Sequence, residues 1–155
     1  METKNIVTEY LRCTEGELSP QEQELVKAAR KACDSAYAPY SRYQVGAAAL
    51  LDDGRILTGS NQESPVFPSG LCAERVLLYQ IKAACPDREI LAVALAAKSA
   101  GKLVKNEVRP CGACAQVFAD AAARQQRPLR LILSGTQGCT VLENAGALLP
   151  FAFEM

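Results

Sequence analysis

The chain has no histidine among its 155 residues. That excludes a Ser-His-Asp triad, a Cys-His nucleophile pair and any metal site built on imidazole. It also lacks a charge excess: 17 Lys and Arg balance 17 Asp and Glu. A duplex- or RNA-binding domain ordinarily carries surplus positive charge, so nucleic acid is not expected as the partner. No apolar run approaches the roughly 18 residues a membrane span needs. The N-terminus, Met1-Glu2-Thr3-Lys4-Asn5, has no apolar signal core. Internal repeats, linkers and low-complexity stretches are also missing. The composition is that of a single globular domain, 49% hydrophobic and 22% charged.

Against these absences stand seven cysteines, an odd number that favours a reducing, cytoplasmic setting over a disulfide framework. Three of them form a pattern. Cys72-Ala73-Glu74 is followed by Pro110-Cys111-Gly112-Ala113-Cys114. Three thiolates can hold Zn²⁺ and leave its fourth position for water, as in catalytic rather than structural zinc sites. Glu74 is not needed as a ligand and is free to move protons. Taken alone, Cys111-x-x-Cys114 suits a structural zinc knuckle or a redox pair equally well. Cys13, Cys33, Cys85 and Cys139 read as small apolar residues.

Ser19-Pro20-Gln21-Glu22 is a helix start, with Ser19 as N-cap, Pro20 in the first position and Glu22 closing a capping box. Leu25, Ala28, Ala29 and Ala32 follow at helical spacing, and Pro39 should end that helix. Gln44 to Leu51 reads as a strand, Asp53-Gly54 as a hairpin turn and Arg55 to Ser60 as the returning strand. A helix is expected from about Cys72 to Ala84. A buried strand over Glu89 to Ala97 comes next, then a helix from Pro110 to about Arg124. Strands at Leu129 to Leu133 and Thr140 to Glu143 close the chain. The order α-β-β-α-β-α-β-β implies an α/β domain with a mixed five-stranded sheet and right-handed crossovers. Residues 1–18 are expected as an arm or an extra strand, and 19–155 as one domain. Both cysteine motifs would then sit at helix N-termini, where dipole and free N–H groups favour thiolates.

Pro-Cys-x-x-Cys preceded by [His/Cys]-x-Glu is the signature of the zinc-dependent deaminases, including a three-cysteine form. Tyr40-Ser41-Arg42-Tyr43-Gln44-Val45-Gly46-Ala47-Ala48, Asn61-Gln62-Glu63, Gly70 to Arg75 and Leu148-Leu149-Pro150 extend the match. From about Ser19 to Phe153 the chain resembles the small homotetrameric zinc-dependent cytidine deaminases. The resemblance implies a three-layer α/β/α fold and hydrolysis of cytidine or 2′-deoxycytidine to the uridine nucleoside and ammonia, a pyrimidine-salvage reaction. It implies one zinc per subunit on Cys72, Cys111 and Cys114. Glu74 would take the water's proton, protonate N3 and supply the departing amine, while Arg75 would donate to the ligand sulfurs. Asn61 and Glu63 match ribose-binding positions. Ala73, Tyr43 and Phe67 match positions around the nucleoside, and Phe153 matches an aromatic that a neighbouring subunit lays on the base. The sites would thus be shared within a homotetramer acting on a small nucleoside.

Each residue also has a plainer role. Asn61 could cap a loop and Glu63 could be a surface charge, while Tyr43 and Phe153 could be core. The chain departs from the family at Ser64-Pro65-Val66-Phe67, where Asn-Ala-x-Tyr is usual, and at Ala115, where arginine is usual. The loop change leaves room for a deaminase of a modified cytosine nucleoside, such as the blasticidin S deaminases. A non-enzymatic zinc-stabilised binding protein would need only the cysteines.

Overall fold

The structure, a computed structural model, describes residues 1–154. Seven strands form one sheet: β1 (Leu11–Cys13), β2 (Tyr43–Leu51), β3 (Ile56–Ser60), β4 (Ile90–Ser99), β5 (Lys102–Leu103), β6 (Arg130–Ser134) and β7 (Cys139–Leu142). They run in the order β1-β7-β6-β4-β2-β3, with β5 beside β4. The β4–β6 pair is parallel and the other pairs are antiparallel, so the sheet is mixed. Three helices, α1 (Pro20–Ala32), α2 (Ala73–Ala84) and α3 (Gly112–Gln125), complete the α/β/α sandwich.

The strand period of two explains the layering. On β4, Ala92, Ala94 and Ala96 pack with Leu25, Val26 and Ala29 of α1. The alternate residues Val93, Leu95 and Ala97 pack with Leu77, Leu78 and Ile81 of α2 and Phe118 of α3. This accounts for the uninterrupted apolar run: both faces of the strand are covered. Two glycines allow the helices to sit close. A Cβ on Gly46 would lie 2.0 Å from the Ala29 carbonyl oxygen, and one on Gly59 would lie 2.9 Å from the Leu77 nitrogen.

The five expected strands are present, with ends shifted by a residue or two. β1, within the residues expected as an arm or an extra strand, and β5 go beyond those five; both are too short and mixed to leave a period in the sequence. The capping box forms as expected: Ser19 Oγ accepts from the Glu22 N–H, and the Glu22 carboxylate accepts from the Ser19 N–H at 2.9 Å. The helix does not reach Pro39. It stops at Ala32, passes through a 3₁₀ turn at Cys33–Ser35, and gives way to a bridge between Tyr37 and Gln62. Main-chain pairing across that bridge, with the Tyr37 N–H donating to the Asn61 oxygen at 3.0 Å, replaces the helical bonds. Helix α3 likewise starts after Pro110, at Gly112. No helix among the described residues is long and apolar enough to cross a membrane.

Candidate active site

Cys72 is the N-cap of α2 and Cys111 the N-cap of α3, while Cys114 stands three positions into that second helix start. The two helix N-termini converge, bringing Cys72 to a pair of thiols 39 and 42 positions further along the chain. The Cys72 and Cys111 sulfurs are 3.9 Å apart, and those of Cys111 and Cys114 are 3.5 Å apart. All three lie within 4.8 Å of one another. Zn–S bonds of about 2.3 Å in tetrahedral geometry place sulfurs about 3.8 Å apart, so these residues fit a zinc ion.

The electrostatics match that use. A hydrogen bond from Cys114, aided by Arg75 and Cys111, holds the Cys72 thiol down at about 5 although burial opposes it. Cys114, as the proton-holding partner of Cys72, is pushed up. The Arg75 guanidinium donates from Nη2 to the Cys72 sulfur at 3.8 Å, and its Nε is buried without a partner. Glu74 is 4% exposed. Burial pushes its carboxyl up, its own backbone N–H lowers it, and the Cys72 charge adds to the rise.

A cavity of about 330 Å³ opens beside this cluster, with Cys72 and Arg75 on its wall together with Asn61, Glu63, Tyr40 and Phe67. Gln62, between the two polar residues, exchanges main-chain hydrogen bonds with Leu71, both at 2.9 Å. That bridge ties the Asn61–Glu63 segment to the entry of α2. Its side chain donates to Ser60 Oγ at 3.2 Å. Glu63 accepts from the N–H groups of Tyr40 at 2.9 Å and Ser41 at 3.2 Å. The Ser41 side chain, with those N–H groups, holds its carboxyl below the usual range. Asn61 is largely committed to the scaffold: its Oδ1 accepts from the Val45 N–H at 2.8 Å and its Nδ2 donates to the Tyr43 oxygen at 2.9 Å.

Sequence patterning did not reveal Gln62, or Tyr40 and Ser41 as anchors of Glu63, because they act through the main chain. Of the other expected residues, Phe67 is 74% exposed and meets Tyr40 edge-on with ring centres 5.9 Å apart. Ala73 is fully buried at the first position of α2. Tyr43 opens β2 and does not line the cavity. Phe153 is 70% exposed and also lies off the cavity wall. Gln116 holds its main chain, accepting from the Phe153 N–H and donating to its carbonyl oxygen, both at 2.9 Å. A larger hollow of about 790 Å³ lies between the end of α3 and the C-terminal tail, and none of these residues line it.

A profile of the family described as the cytidine and deoxycytidylate deaminase zinc-binding region matches residues 19–126. A cytidine deaminase of Halalkalibacterium halodurans is 37% identical over 131 residues, spanning 84% of this chain and 92% of its own length. One from Sporosarcina psychrophila is 35% identical over 133 residues, spanning 84% and 90%. The crystal structure of cytidine deaminase from Burkholderia pseudomallei aligns with a TM-score of 0.72 at 34% identity, covering 88% of this chain and 100% of that one.

Proposed function

The chain belongs to the cytidine and deoxycytidylate deaminase zinc-binding family, and from that premise we propose that it hydrolyses both cytidine and 2′-deoxycytidine, releasing ammonia, in pyrimidine salvage in the cytoplasm. The observation that carries this reading is the three-sulfur cluster, whose Cys72 lies on the wall of a nucleoside-sized cavity with Glu63, and the buried Glu74 two residues further along α2. Cys72, Cys111 and Cys114 would hold one zinc per subunit. When bound, zinc lowers the pKa of a coordinated water and polarises its neighbours.

The chain's own residues do the rest. Glu74 takes a proton from the attacking water as oxygen adds to C4. It gives that proton to N3, takes the second from the new hydroxyl, and delivers it to the amino group, which leaves as ammonia. A desolvated carboxylate suits this shuttle, because burial raises its affinity for the proton it must briefly hold. Arg75 steadies the Cys72 thiolate. Glu63, fixed by the Tyr40 and Ser41 N–H groups, offers its free oxygen to a sugar hydroxyl, which favours nucleosides over free bases. Asn61 and Phe67 complete the wall around the nucleoside, and the Ala73 main chain at the start of α2 would meet the pyrimidine edge, while Tyr43, off the cavity wall, is left to the scaffold. Phe153, exposed on its own subunit, would reach the base of a neighbour in a homotetramer.

The exposed Phe67 on the cavity wall favours one second reading, a modified cytosine nucleoside as the preferred substrate. The test is the loss of cytidine absorbance with folded, zinc-loaded protein. Rapid conversion to uridine supports the first reading. Conversion only of modified cytosine nucleosides supports the second. Zinc uptake with no turnover of any cytosine compound would leave a zinc-stabilised binding protein.

A further inference from the structure

Residues 1–18 precede the family match, yet they join the sheet next to the segment that feeds Cys111. Strand β1 adds to the edge of β7, with Arg12 opposite Thr140. From there Arg12 Nη2 reaches Glu107 Oε1 at 2.7 Å. The pair is asymmetric: the Arg12 side chain is 65% exposed, whereas that of Glu107 is 10% exposed. An exposed ion pair contributes little by itself. Here, though, the surface cation neutralises a carboxylate already withdrawn from water, and Thr140 Oγ1 at 3.5 Å is a weak substitute.

Glu107 stands four positions before Cys111. The main chain around it is laid against the β6–β7 turn. The Thr136 N–H donates to the Val104 oxygen at 3.0 Å, the Gln137 N–H to that of Lys105 at 3.2 Å, and the Val108 N–H to that of Ser134 at 3.4 Å. Gly135 is needed for that approach, since a Cβ there would lie 2.3 Å from the Lys105 oxygen. Among the described residues, no such tie holds Arg109 or Pro110. Cys111, the exposed member of the three thiols, therefore depends on the anchoring of the chain just before them.

We infer that Arg12 is a positioning residue for the zinc site: by neutralising Glu107 it holds the 104–108 segment down and fixes Cys111 in register with Cys72 and Cys114. Without it, Glu107 turns out toward water, the segment lifts, and the Cys111 sulfur is no longer held for the metal. The inference rests on Cys111 being a zinc ligand, so the zinc content of the wild-type protein is measured first.

The experiment is the rate of zinc transfer from the full-length holoprotein to a chromophoric chelator. Arg12→Ala should release zinc about 10-fold faster, the usual scale for residues that orient a ligand. Arg12→Lys should restore most of the retention. Arg12→Ala combined with Glu107→Gln should also recover, since no buried charge is left unpaired. Cys13→Gly, which removes the half-buried contact of the edge strand with the core without touching Glu107, should release zinc at the wild-type rate. Equal release from Arg12→Ala and wild type overturns the inference. So does release from Cys13→Gly as fast as from Arg12→Ala, which would make the strand rather than the ion pair responsible. A wild-type protein that takes up no zinc sinks the site assignment itself, a distinguishable failure.

Discussion

Replacing Glu74 by glutamine should move activity and stability in different directions. The side chain is 4% exposed, at the second position of α2, and burial pushes its carboxyl up. Glutamine keeps the shape and can still hydrogen-bond, but it cannot take a proton from water. A positioned acid or base contributes about 10²- to 10⁴-fold. Because one carboxylate would carry every transfer in the proposed mechanism, the loss belongs at the upper end, about 10⁴-fold in kcat, or about 5 kcal/mol of transition-state stabilisation. Stability carries no matching penalty, since the substitution removes a desolvated ionisable group and leaves no cavity. The midpoint of thermal unfolding should stay within about 3 °C of wild type or rise, given about 2–4 °C per kcal/mol for a chain of this size. Turnover of cytidine and the circular dichroism melting curve, measured on one preparation whose zinc content is known, test both parts. A loss of kcat under tenfold with zinc in place would refute the proton-shuttle role. A midpoint lowered by about 8 °C or more would show that Glu74 holds the fold, and the lost activity could then not be assigned to chemistry.

Three further outcomes follow from the geometry. Glu63→Gln weakens the contacts to the Tyr40 and Ser41 N–H groups and to a sugar hydroxyl; KM for cytidine should rise about 10-fold with a smaller change in kcat, as expected for a charged hydrogen bond of about 1.5 kcal/mol. Gly46→Ala drives a methyl to 2.0 Å from the Ala29 carbonyl oxygen, where only main chain can yield. The cost should be about 3 kcal/mol, read as a melting midpoint lowered by about 6–12 °C. Arg75→Ala removes the guanidinium from the Cys72 sulfur and should weaken zinc retention by about 10-fold, while Arg75→Lys should restore only part of it.

What the sequence made legible was what repeats or caps. The Ser19–Glu22 box and the apolar run of β4 carry their structure locally, and the two cysteine motifs singled out the three thiols that the structure brings together, because helix starts are local events. The end of α1 was not legible, because the bridge that stops it joins Tyr37 to Gln62, a partner far along the chain. Strand β1 was legible only as one of two options, an arm or an extra strand, for a similar reason: three mixed residues become a strand only because β7 offers an edge. Among the site residues, the pattern placed Glu63 on the cavity, but its anchors, the Tyr40 N–H and the Ser41 N–H and side chain, lie more than 20 positions away and leave no local signal. Phe153 shows the same limit, since its main chain is pinned by Gln116 on α3 and its exposed ring does not line its own subunit's cavity.

The missing histidines bear on the proton shuttle as well as on ligand identity. Three neutral imidazoles around Zn²⁺ would leave a cluster of charge about +2, which would hold a nearby carboxylate ionised and make it a weak base. Three thiolates leave about −1. Arg75, on the Cys72 sulfur, brings that toward neutrality without making the surroundings of Glu74 positive. Burial is then free to set the carboxyl's proton affinity, and both burial and the Cys72 charge act in the same direction. A carboxylate that readily holds a proton can take one from water and keep it long enough to hand it on. With zinc held as proposed, three cysteine ligands would weaken the metal's pull on its surroundings while strengthening Glu74 as a base. Arg75 sets the balance, because its charge both offsets the Cys72 sulfur and opposes the rise that burial gives the Glu74 carboxyl.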